Sequence, residues 1–303
     1  MVEDAYASCA RDARHHYENF PVASLLLPRS VRRHVSALYA FARAADDFAD
    51  EGERTARERH QLLDGWTGRL RQAASSNDPG PPPRRGEPPN AVAIFLAVGA
   101  TMRACSLPSD LFEDLLSAFR QDVDVTRYAT WAELLDYCRR SANPVGRLVL
   151  RIWGQRDAQL DAWSDDICTA LQLTNFWQDL KTDYDRGRVY LPREQQHGAR
   201  EEDLAAGRIT PAWQEALSAA VLRTRALFDR GRPLCDATRG RLRYELRATW
   251  LGGTRILDRL ARAHFDVTSR RPVLGVLDAP WFAWKLLAWT SPREPLMYRR
   301  RSS

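Results

Sequence analysis

A chain of 303 residues with 44% hydrophobic and 28% charged residues has enough apolar material for a sizeable core, which argues against a disordered or low-complexity protein. Its formal charge of +6 at pH 7 comes almost wholly from arginine, since lysine stands only at Lys181 and Lys285. The arginines are interleaved with nearly as many acids, so no basic stripe argues for nucleic acid, and no apolar run reaches the roughly 18 residues of a membrane span.

The first residues carry Glu3, Asp4, Arg11 and Arg14 without an apolar core, which argues against a secretory leader and leads one to expect a cytoplasmic protein. His15-His16 reads as a solvated or phosphate-side pair near a cavity mouth. Helical patterning begins in earnest over residues 28–48. Within it Tyr39, Arg43, Asp46 and Asp50 follow one another at spacings of four, three and four, so one helical stripe carries a phenol, a guanidinium and two carboxylates. Arg43 also stands four residues before Asp47, the spacing of an intrahelical ion pair.

Residues 75–90 are rich in proline, glycine and serine and read as an exposed loop between helices. Helical runs follow over 111–119, 131–153, 167–183 and 211–227, so the expected fold class is all-α, with one domain over 1–303. In the third of these runs Gln172, Asn175, Asp179 and Asp183 fall within an arc of roughly 80° on an ideal helix. Four polar groups beside Leu171, Leu173, Phe176 and Trp177 are costly to bury without partners. Gly187 should stop this helix, and Pro192 should close a short extended piece that brings Arg188 and Tyr190 back to the same helix end.

Both acidic segments, 46–50 and 179–183, place carboxylates four residues apart in an apolar context. Such ledges repel each other unless cations lie between them, and oxygen donors with open positions suit Mg²⁺ carrying substrate phosphates. Cys9, Cys105, Cys138, Cys168 and Cys235 are odd in number and scattered, and read as reduced thiols. Residues 281–289, Trp-Phe-Ala-Trp-Lys-Leu-Leu-Ala-Trp, read either as a last helix packed on the core or as an interfacial patch for a bilayer.

Over nearly its whole length the chain resembles the squalene/phytoene synthase family, on the two aspartate segments, on Gly187-Arg188-Val189-Tyr190-Leu191-Pro192 and on Tyr137-Cys138-Arg139-Arg140-Ser141-Ala142-Asn143-Pro144-Val145-Gly146. The resemblance implies a helical bundle around a central cavity, with Mg²⁺ and a prenyl diphosphate between two aspartate motifs. It implies metal binding by Asp46, Asp47, Asp50, Asn175, Asp179 and Asp183, and diphosphate binding by Asn19, Tyr39, Arg43, Gln172, Asn175, Arg188 and Tyr190. Tyr137 would face the reacting carbons, and Asp122-Val123-Asp124 with Arg127-Tyr128 would match the helix end before it.

Four departures from the commoner pattern, at Asn19-Phe20-Pro21, Arg139, Asn143-Pro144 and Trp177-Gln178, resemble the bacterial hopanoid branch of that family. That branch implies conversion of presqualene diphosphate and water to hydroxysqualene, between an upstream presqualene diphosphate synthase and a downstream flavin-dependent squalene-forming enzyme. Phe20, Phe41, Tyr137 and Phe176 are candidate wall groups around a carbocation. Arg139 and Asn143 are candidates for orienting the quenching water. No GxGxxG follows a strand, so NADPH is not expected. The alternatives are a head-to-head condensing synthase making presqualene diphosphate, dehydrosqualene or phytoene, and a non-catalytic assembly protein of the same fold.

Overall fold

The computed structural model of the protein describes residues 1–15, 27–78, 80–269 and 271–290, with residues 14 and 15 described by their backbone. One half is built from α1 (Val2–His15), α2 (Arg29–Asp50), α3 (Ala56–Ser75), α4 (Ala91–Cys105) and α5 (Ser109–Asp124). The other half has α6 (Trp131–Ser141), α7 (Asn143–Ile152) and α8 (Ala158–Asp185), then the short α9 (Arg193–Gln196) and α10 (Glu201–Ala205). It is completed by α11 (Pro211–Gly231), α12 (Leu234–Ala237), α13 (Gly240–Arg262) and α14 (Ala279–Leu287). The fold is all-α. Among the described residues the one β-type contact is an isolated parallel bridge between Arg127 and Val189.

Helix limits follow local chemistry. Thr55 and Glu58 form a capping box at the start of α3, as Thr130 and Glu133 do for α6. The sequence reading ran residues 131–153 as one helical stretch; the chain divides at Ala142, and Pro144 sits in the first turn of α7. Gly187 adopts a φ of +82°, and the Arg188 amide bonds the Asp183 carbonyl at 2.8 Å while the Gly187 amide bonds that of Tyr184 at 2.9 Å. This Schellman closure ends α8 and turns Arg188 back, as the Gly-to-Pro spacing led one to expect.

Two apolar cores result. In the first, Phe41 is fully buried against Trp66, Phe95 and Phe112, at ring separations of 6.2, 6.0 and 5.4 Å. Phe41 is therefore a core residue and not a cavity wall, because it points away from the stripe that carries Arg43 and Asp46. In the second, Trp177, Trp213 and Phe228 are buried among α8, α11 and α13, and the Trp177 indole donates to Thr224 Oγ1 at 2.8 Å. Leu148 joins the first core and Leu150 the second, so α7 links the halves.

The segment 75–90 is mostly exposed, with one correction. Glu87 is buried in an ion pair with Arg69 at 2.7 Å, and the same guanidinium donates to the Pro81 and Pro82 carbonyls at 2.8 and 2.9 Å. A loop that ties down a buried guanidinium is anchored to α3.

Candidate active site

The C-terminal ends of α2 and α8 meet through the loop after α8. Arg188 donates from Nη1 to Asp50 Oδ2 at 2.8 Å and from Nη2 to Asp50 Oδ1 at 2.6 Å, and Nη2 also reaches the Asp122 carbonyl at 3.0 Å. One planar fork thus joins α2, the end of α5 and the loop. On α2, Tyr39, Arg43 and Asp46 lie half-buried along the same stripe. Arg43 pairs with Asp47 at 2.8 Å and stands 3.5 Å from Asp46, so the anticipated intrahelical pair forms.

On α8, Gln172, Asn175 and Asp183 are half-buried, and their side chains make no hydrogen bond to another described residue. Asp179 is held by Arg271, whose Nη2 donates to Asp179 Oδ2 at 2.9 Å. The electrostatics of the two ledges are strained by design of the sequence. Although 40% of the Asp46 side chain is accessible to solvent, the surrounding protein atoms, with the Asp50 charge second, push its carboxyl up to about 7. Burial, with Asp179 second, does the same for Asp183, also to about 7.

Beside the acids lies a nest of rings. Phe176 and Tyr190 stack at 3.7 Å with planes 6° apart, Tyr137 lies 6.2 Å from Phe176 and 6.1 Å from Tyr190, and Tyr128 closes the group. The Tyr137 hydroxyl donates to Asp122 Oδ2 at 3.0 Å, and burial holds both the Tyr137 and Tyr190 phenols well above their usual range. Asp122 Oδ1 is buried with no hydrogen-bond partner, and burial pushes this carboxyl up to about 7.

Oxygen donors suit a hard cation, and the crowded carboxylates, with Asn175 and Asp183 making no hydrogen bond to another described residue, fit one. Among the described residues no three acidic, histidine or cysteine side chains gather into a ready-made metal cage, and arginines hold Asp50 and Asp179 instead. That arrangement fits Mg²⁺, which is commonly bound by one or two carboxylates plus substrate phosphates.

Two residues of this region escaped the sequence reading. Asp122 was legible only as part of a helix end, because Gln121-Asp122-Val123-Asp124 shows no paired spacing. Arg271 follows α13 in a loop, where no periodicity points at Asp179, 92 residues earlier. Other expectations are corrected. Arg139 lies on the outer face of α6, over half exposed, bound to Asp136 at 2.9 Å, so it is not brought to the rings. It stands two positions after Tyr137, about 200° around the helix. Asn143 is buried and accepts from Thr169 Oγ1 at 2.9 Å, tying the start of α7 to α8. Trp177 is core, and Gln178 donates to the Pro272 carbonyl. Asn19, Phe20 and His16 lie outside the described residues, as does the side chain of His15. All five cysteines are free thiols.

Residues 13–278 match the family model described as squalene/phytoene synthase. The chain belongs to the squalene/phytoene synthase family. A hydroxysqualene synthase of Rhodopseudomonas palustris is 39% identical over 228 residues, 73% of this chain and 71% of that one. Another, from Zymomonas mobilis, is 36% identical over 221 residues, 71% and 69% of the two chains. The crystal structure of a squalene synthase from Alicyclobacillus acidocaldarius superposes with a TM-score of 0.76 at 38% identity, over 87% of this chain and 95% of that one. In this chain Arg188 ties the acid-bearing end of α2 to the turn that follows α8.

Proposed function

We propose that the protein converts presqualene diphosphate and water to hydroxysqualene and diphosphate in a Mg²⁺-dependent reaction. The observation that carries this reading is the adjacency of two acidic ledges and a ring nest, in a chain whose relatives at 39% and 36% identity are named hydroxysqualene synthase. Asp46, Asp50, Asn175, Asp179 and Asp183 would hold Mg²⁺. The metal would supply charge neutralisation for the departing diphosphate.

Arg43, Arg188 and Tyr39 bind phosphate oxygens, and Arg188 is suited because its fork already matches a pair of anionic oxygens on Asp50. Arg271, which holds Asp179, would supply a further guanidinium beside the diphosphate. When the carbon–oxygen bond to the diphosphate breaks, the electron pair leaves on phosphate and the carbon skeleton is left cationic. Tyr137, Phe176 and Tyr190 offer ring faces that stabilise the cation without attacking it. Water then forms the new carbon–oxygen bond and loses its proton to the released diphosphate.

The second reading is a head-to-head condensing synthase, and it is favoured by the squalene synthase name of the relative at 38% identity. Incubation with presqualene diphosphate alone, and separately with farnesyl diphosphate alone, tests both. Hydroxysqualene from the first and nothing from the second supports the proposal; consumption of farnesyl diphosphate supports the condensing reading. A reduced, oxygen-free product that appears only with NADPH would sink the water-quench mechanism.

A further inference from the structure

Among the described residues, exposed large apolar side chains concentrate at one place. Val276 is 89% exposed, Leu277 95%, Trp284 59% and Leu287 88%, with Val273 and Leu274 beside them. Around α14 the exposed positions are Ala279, Pro280, Ala283, Trp284 and Leu287, whereas Trp281, Phe282, Lys285 and Leu286 are half-buried. A surface helix ordinarily turns its polar stripe to water and its apolar stripe to the core. Here the solvent face carries no polar side chain, and the one charged residue, Lys285, is half-buried with its ammonium 4.7 Å from the ring of the exposed Trp284.

The display is rigidly mounted. Asp278 is buried, accepts from the Gly275 amide at 2.8 Å and from Arg259 at 2.5 Å, and lies 3.5 Å from Arg255. Arg255 in turn covers the Trp281 ring at 4.6 Å, and Arg259 donates to the Val273 carbonyl. The tips of Val276 and Leu277 are thus held out in water by a network of ion pairs, a costly arrangement unless something apolar receives them.

We propose that this surface docks the protein on an anionic phospholipid bilayer, with Val276, Leu277, Trp284 and Leu287 entering the acyl boundary. Charge decides the occupant. The apolar tips are flanked by Lys285 and by two guanidiniums, Arg255 and Arg259, that share a single carboxylate. Apolar side chains flanked by cations match the acyl-and-headgroup boundary of a negatively charged leaflet. The nine residues of α14 are too few to span a bilayer, so the helix lies in the interface. The inference goes beyond the proposed reaction and does not depend on it.

The test is flotation of the full chain with vesicles of phosphatidylcholine alone and of phosphatidylcholine mixed equally with phosphatidylglycerol. The wild type should float with the mixed vesicles and release partly at high salt. Leu277→Glu combined with Leu287→Glu should reduce the bound fraction about tenfold or more, with helical content and Tm unchanged because both side chains stand in water. Leu277→Glu alone should give an intermediate loss. The proposal fails if the wild type stays unbound, if it binds neutral vesicles equally well, or if the double variant floats like the wild type. It also fails if light scattering shows a dimer that the double variant dissolves, since the face would then belong to a second copy. Flotation is read without turnover, so failure of the reaction assignment would leave this result standing.

Discussion

Arg188 grips Asp50 through both guanidinium nitrogens, at 2.6 and 2.8 Å, across 138 residues of sequence. This pair brings the end of the first acidic helix to the turn that closes the second. Arg188→Lys keeps the charge and loses the planar fork. We expect kcat/KM to fall about tenfold or more, equivalent to about 1.4 kcal/mol of transition-state stabilisation. Steady-state kinetics on presqualene diphosphate measure it, and an unchanged kcat/KM would remove Arg188 from diphosphate binding.

Asp46→Asn and Asp179→Asn should each nearly abolish turnover while the far-ultraviolet spectrum stays helical. A neutral amide is a weaker ligand for a hard cation than a carboxylate. Chelation by EDTA should act likewise, and added Mg²⁺ should restore the wild type only. Full activity of both variants in EDTA is the outcome that would defeat a metal-assisted reaction.

Asp122 should leave a signature in the pH dependence of stability. Its carboxyl rises from 3.8 to about 7 in the folded protein. The native state therefore keeps this proton over a window, about pH 4 to 7, in which the unfolded chain has released it. The contribution of this group is full below about pH 4, falls as pH rises through the window and levels off above about 7. Thermal melts of the wild type and Asp122→Asn, taken in EDTA from pH 5 to 8, isolate it. The Tm of the wild type should fall relative to that of the variant as pH rises; parallel curves would contradict the assignment.

Arg139 and Asn143 should behave differently from each other. Arg139→Ala removes an exposed ion pair with Asp136, worth about 0.2–1 kcal/mol, and should leave the product distribution unchanged. Asn143→Ala strands the Thr169 hydroxyl at the α7–α8 contact and should cost about 1–3 kcal/mol of stability. Denaturant titration and product analysis separate the two effects. A changed product ratio in Arg139→Ala would return that residue to the reacting carbons.

The helical class, both acidic ledges and the turn at Gly187 were legible in the sequence because each rests on local periodicity or local backbone chemistry. Spacings of three and four place Tyr39, Arg43, Asp46 and Asp50 on one stripe whatever surrounds the helix. A glycine three residues ahead of a Tyr-Leu-Pro run stops a helix for reasons contained in the segment itself. Helices α1, α3, α4 and α13 were not drawn from the pattern, although Thr55 and Glu58 carried the start of α3 in plain view. What only the tertiary structure decided is which side of each helix looks inward and which distant group meets it. Phe41 and Arg139 both stand beside site residues in sequence, yet one is packed in the core and the other lies on the outside, because neighbours in sequence point about 100° apart on a helix. Asp122 and Arg271 join the site through contacts spanning 15 and 92 residues, and no local rule encodes partners at that range. Local spacing therefore determined the ledges, and packing of the two cores through α7 determined what faces them.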